Sequence, residues 1–165
     1  MADAELAPNG KPFESVWDFP RPPRVETVPW RIRVVHGDQL IVDAPEVVRV
    51  LETSQAPAYY VAFEHIADEF LRENPHHTYC EWKGVAAYAD VVVGDRVATR
   101  AAWTYPEPTR GFEPIAGHWA FYAQTLDECW VDDERVLPND GNFYGGWVTA
   151  QVQGPVKGAP GTLHW

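Results

Sequence analysis

A thiol, an ammonium and an indole stand together in Tyr79-Cys80-Glu81-Trp82-Lys83-Gly84, and Ala101-Ala102-Trp103-Thr104-Tyr105-Pro106 follows about one hairpin later. A thiolate is a nucleophile and a metal ligand. A lysine ammonium holds carboxylates or phosphates as a compact point charge. Cys80 and Lys83 lie three apart, so an extended backbone sends their side chains to opposite sides, and they cooperate only if the chain turns at Glu81-Trp82. The plainer reading of Cys80 is a small buried hydrophobe. Lys83, flanked by Trp82 and Gly84, either snorkels to solvent or anchors an anion among aromatic rings.

The chain has eight Trp and seven Tyr in 165 residues. Rings at this density fill a core and also wall a pocket, because Tyr and Trp carry polar ends that seek partners. Tyr59, Tyr60, Trp82, Trp103, Tyr105 and Tyr122 are the expected ligand-binding walls around Lys83. If the site is also catalytic, Glu52 or His118 is the candidate proton acceptor for a substrate held by Lys83, and Cys80 the candidate nucleophile. His76, His77 and Cys80, with His118 or Cys129 as an outside fourth, have no second half of a zinc spacing, so no metal is expected. Glu64, His65, Asp68 and Glu69 read as a solvated polar face. No nucleophile elbow, phosphate loop or dinucleotide fingerprint is present, and no cofactor is implied.

These side chains need elements to position them. Residues 30–36 alternate Trp30, Ile32 and Val34 with Arg31 and Arg33, and Gly37-Asp38 turns the chain into Gln39-Leu40-Ile41-Val42, a hairpin. Asp43, Pro45, Val47, Val48 and Leu51 predict a short capped helix over about 45–52. Ala58 to Phe63 reads as a strand. Phe63, Ile66, Ala67, Phe70 and Leu71 mark one face of a second helix that ends before Pro75. Gly84 to Val93 and Arg96 to Tyr105 form a longer hairpin across Gly94-Asp95. His118 to Ala123 is a strand, and Cys129-Trp130-Val131 pairs with Arg135-Val136-Leu137 across Asp132-Asp133. The expected class is mainly β (α+β): about seven strands, two short helices and tight turns.

Three segments follow: a Pro-rich N-terminal arm at 1–29, a domain at 30–138 and a Gly- and aromatic-rich C-terminal arm at 139–165. Trp17, Phe19, Tyr144 and Trp147 predict that both arms are ordered, on the domain's own sheet surface or against a two-fold partner as a homodimer.

The Tyr79 to Gly84 segment, together with Trp103 to Pro106, Tyr59-Tyr60 and Ile115-Ala116-Gly117, resembles the bacterial domain-of-unknown-function family numbered 427. The resemblance covers roughly residues 30–138, and the Lys83-Gly84 step matches its pattern. It implies a β-tent-like arrangement of two small antiparallel sheets packed at an angle over a cleft. β-Tent relatives often clamp their sheets with Cys-x-x-Cys knuckles, which this chain lacks. The family has carried a nucleotidyltransferase-like label. Such chemistry needs spaced carboxylates for Mg²⁺ and a glycine-led turn for the triphosphate, and Asp132-Asp133-Glu134 sits where a hairpin needs its turn, which disfavours it.

A net charge of −11 repels phosphate backbones and anionic lipids, so nucleic acid and membrane are not expected partners. An acidic start without an apolar run predicts a cytoplasmic protein with reduced Cys80 and Cys129. The functional expectation is a small, anionic ligand in an aromatic cleft. The rival is a protein-interaction module whose aromatic cage takes a cationic or peptide ligand. A cage for cations should have no lysine in its wall.

Overall fold

The computed structural model describes residues 5–141 and 143–165; residues 1–4, which open the acidic start, and Asn142 in the C-terminal arm lie outside the described residues. The chain is mainly β. One sheet has seven antiparallel strands in the order Arg24–Val28, Val47–Leu51, Ala58–Ala62, His118–Phe121, Arg96–Thr104, Gly84–Val93 and Leu71–Cys80. A second has four, in the order Glu134–Arg135, Glu128–Val131, Ile32–His36 and Gln39–Ala44. Two further ribbons pair Glu14–Ser15 with Val152–Gln153 in parallel and Leu137–Pro138 with Trp147–Val148. The expected pair of small sheets is therefore replaced by one large sheet, a smaller one and two short ribbons. No helix among the described residues is long and apolar enough to cross a membrane.

Neither expected helix forms. Residues Val47–Leu51 are a strand buried at every position. Val47, Val48 and Val50 are β-branched and lose rotamer freedom in a helix, and a strand covered on both faces needs no alternation. Over 63–71 the chain makes two three-residue 3₁₀ turns, Phe63–His65 and Asp68–Phe70, and then enters the edge strand. The Ala67 N–H donates to the Ile41 carbonyl at 2.8 Å, and Ile66 bridges to Val42. That tertiary bond uses a donor that a continuous helix would spend on its own preceding turn.

Both hairpins with Gly-Asp turns form, with Gly37, Asp38 and Gly94 all at positive φ. Strand alternation divides the large sheet's side chains between two cores. Ile32, Val34, Val42, Cys129 and Val131 of the small sheet meet Tyr59, Val61, Ala89, Val91 and Phe121 of the large one. On the opposite face Tyr60, Tyr88, Trp103 and Tyr105 cluster with Phe112 and Ile115 of the following loop.

The arms are built into this body. Arg24–Val28, within the N-terminal arm, is an edge strand of the large sheet, paired with Val47–Leu51. Trp147, 1 % exposed, stacks on Tyr59 at 5.1 Å and donates its indole N–H to the Phe121 carbonyl at 2.8 Å. Trp17 packs on Trp165 at 5.3 Å and donates to the Pro155 carbonyl. Arg49, almost wholly buried, joins Glu14 of the arm to Glu26 of the edge strand and stacks on Trp30 at 4.6 Å.

Candidate functional site

The outer face of the large sheet carries a cavity of about 270 Å³. Its defining turn is Glu81-Trp82-Lys83, which joins the edge strand Leu71–Cys80 to Gly84–Val93, with Cys80 and Gly84 as the closing pair. Gly84 sits at φ 104, where a side chain would be strained. The turn is braced from outside: the Thr109 N–H donates to the Lys83 carbonyl at 3.0 Å, and the Thr109 hydroxyl donates to the Trp82 carbonyl. Because the chain does turn here, Cys80 and Lys83 line the same space.

Lys83 is only 9 % exposed, and its ammonium lies 5.7 Å from the centre of the Tyr105 ring. Among the described residues it makes no ion pair and no hydrogen bond. Around it the phenols are donors. The Tyr60 oxygen accepts from the Trp103 indole N–H at 3.1 Å, which leaves its own proton free to donate. Tyr88 shares a hydrogen bond with Thr78 at 2.8 Å, and Tyr122 donates to the Phe143 carbonyl at 3.2 Å. Burial pushes the pKa of Tyr60, Tyr105 and Tyr122 well above the ordinary phenol range, so these groups stay protonated at neutral pH.

The C-terminal arm roofs the cavity with Tyr144-Gly145-Gly146. A Cβ on Gly145 would come 2.4 Å from the Trp103 ring, and one on Gly146 2.3 Å from the Ala56 carbonyl oxygen, so only glycine permits this approach. Gln124 holds the strap by donating to the carbonyls of Asn139 and Tyr144. Lys157 lines the rim, with its ammonium over the Tyr144 ring at 5.1 Å and bonded to the Trp165 main-chain oxygen at 3.2 Å. Glu52 also lines the cavity, where it accepts from Gln55 and lies 3.9 Å from Arg21.

Of the residues singled out from sequence, Tyr60, Trp82, Lys83, Trp103, Tyr105, Tyr122, Cys80 and Glu52 come together here. Tyr59 does not: its neighbour Tyr60 takes the cavity face, and alternation sends Tyr59 into the core between the sheets. His118 lines a separate hollow with Glu46 and His65, and its Nδ1 meets the Ala116 carbonyl at 3.0 Å. Cys129 is buried between the sheets, which raises its pKa to about 12. Asp132 is taken up by the Lys11 ammonium and the Arg31 N–H. Among the described residues no three His, Cys, Asp or Glu side chains gather to hold a metal ion. Sequence reasoning missed Tyr88, Tyr144 and Lys157. Tyr88 shares the parity of Ala86 on its strand, a signal that was available; the other two depend on the path of an irregular arm.

Residues 24–132 match the model of a family described as a domain of unknown function (DUF427). No curated protein matches the chain.

Proposed function

Since the chain belongs to the DUF427 family, to which no function is assigned, we propose from its own residues that the cavity binds a small anionic molecule, with Lys83 as charge anchor and Tyr60, Trp103 and Tyr105 as walls. The observation that carries this reading is Lys83, a residue only 9 % exposed whose ammonium opens onto the cavity and has no anionic partner among the described residues. Removing a charge from water costs several kcal/mol unless a partner compensates. An anion in the cavity would be that partner, and the protonated phenols of Tyr60 and Tyr105 add neutral donors to the same space. The net charge of −11 does not oppose this, since salt screens distant charges beyond about 8 Å at physiological ionic strength. The ammonium acts within that range.

A cage for a cationic ligand is the weaker reading, because Lys83 would repel the ligand from the wall. Thermal-shift titration with a panel of small carboxylates and phosphate esters tests the proposal. A ligand at 100 times its Kd stabilises by about 2.7 kcal/mol, or roughly 5–10 °C for a chain of this size. Lys83→Met keeps the stem and deletes the charge, so the fold should persist while the shift disappears. Lys83→Arg should restore it only in part, since a planar fork does not fit a site shaped for a compact ammonium. Equal shifts for wild type and Lys83→Met would overturn the assignment.

A further inference from the structure

A second cavity, of about 330 Å³, shares Tyr88 and Tyr122 with the first and has Arg100, which the first lacks, in its lining. Arg100 has φ 52, in the left-handed region, where the hairpin Gly84–Val93 to Arg96–Thr104 shifts register. A non-glycine residue held there is strained, and a bulge re-aims the side chain it carries. The conformation is secured by Asp90, 6 % exposed, which accepts the Arg100 N–H at 2.8 Å as well as Asn74 and Arg72. The Arg100 guanidinium itself has no carboxylate and no acceptor among the described residues. Of the other polar groups of this cavity, the Thr125 hydroxyl donates to the Tyr122 carbonyl and the Gln124 Nε2 to the strap, while Gln124 Oε1 is buried without a partner. Arg100, exposed to solvent, is thus the permanent cation in the lining of this cavity, within reach of a ligand that enters it.

Resting on the reading of Lys83 as an anion anchor, we propose that the ligand continues past Tyr88 and Tyr122 and ends in a second acidic group taken by Arg100, so that the site selects elongated diacids over monoacids. Gly84 and Asp90, which mark the two ends, are separated by six strand steps, ~20 Å of backbone at the ordinary rise.

Isothermal titration of the full chain with straight-chain α,ω-dicarboxylates, from adipate to dodecanedioate, and with the monocarboxylates of equal length, tests this. One diacid in the series should bind at least about tenfold tighter than its monoacid. Arg100→Gln, checked for an unchanged melting curve, should bring that diacid down to the monoacid's affinity, and Arg100→Lys should recover part of the gain. Equal binding of diacids and monoacids at every length, or a gain that survives Arg100→Gln, overturns the proposal and leaves the Lys83 anchor standing. Binding by neither class overturns this proposal, and the Lys83 anchor falls with it only if the phosphate esters of the thermal-shift panel also give no shift.

Discussion

Replacing Arg49 by methionine retains most of the stem and removes the guanidinium that lies between two carboxylates. The Arg49 side chain is 4 % exposed, against 19 % for Glu14 and 30 % for Glu26. It meets Glu14 through both terminal nitrogens, at 2.6 and 3.1 Å, and Glu26 through Nε at 3.0 Å. Breaking a buried pair by removing one partner costs about 3–5 kcal/mol, mostly because the other charge is left stranded. Here two carboxylates lose the guanidinium, leaving Glu14 with the Gln151 amide at 3.2 Å and Glu26 with Arg24 at 3.8 Å. Against a total stability of roughly 5–15 kcal/mol, Arg49→Met should lower the melting temperature by about 6–20 °C. Circular dichroism at pH 7 measures it, and limited trypsinolysis after Arg24 reports whether the arm has come loose. The triple variant Arg49→Met, Glu14→Gln, Glu26→Gln leaves no bare charge and should recover most of the loss. A fall of less than about 2 °C for the single variant, or no recovery in the triple, would refute this account of the arm.

Asp127 offers a pH test: hydrogen bonds from Arg96 and the Gly37 N–H hold its pKa down at about 2, below the ~3.9 of an unfolded Asp. A depressed folded pKa stabilises above about pH 4 and ceases to do so as pH falls towards 2, so the gap in melting temperature between wild type and Asp127→Asn should close across that window. A gap that stays constant would count against it. For the thiols, a titration with a chromogenic disulfide should find one reactive group in the native protein, Cys80 at the cavity, and a second, Cys129, only after denaturation. Two fast thiols would contradict the burial of Cys129.

The turns were the most legible part of the fold. Gly37-Asp38 and Gly94-Asp95 specify backbone conformations that few residue pairs accept, and both hairpins close on them. The missed strand Val47–Leu51 shows where periodicity fails: Val47, Val48 and Leu51 fit a helical stripe, yet all five residues are buried, and a run covered on both sides has no period to read. Residues 63–71 failed for a non-local reason, since the Ala67 N–H is claimed by Ile41. In the site, the segments were legible but their parity was not. Tyr59 and Tyr60 are chemically identical, and the side of the sheet each takes depends on where the four-stranded sheet packs. The roof was illegible because Gly145 and Gly146 matter through what they approach, Trp103 and Ala56.

That roof has a consequence for synthesis. The strap and Lys157 belong to the C-terminal arm, and Trp17 meets Pro155 across 138 positions of chain. Contacts at such separation close late, because a long loop must be ordered before they repay its entropy. A nascent chain still tethered at residue 140 can pair Leu71–Cys80 with Gly84–Val93 and so set Lys83 in its turn, but it presents an open, aromatic face in place of a cavity. The proposed binding cavity should therefore close in a single late step as the arm leaves the ribosome, and until then the exposed rings are what a chaperone would meet.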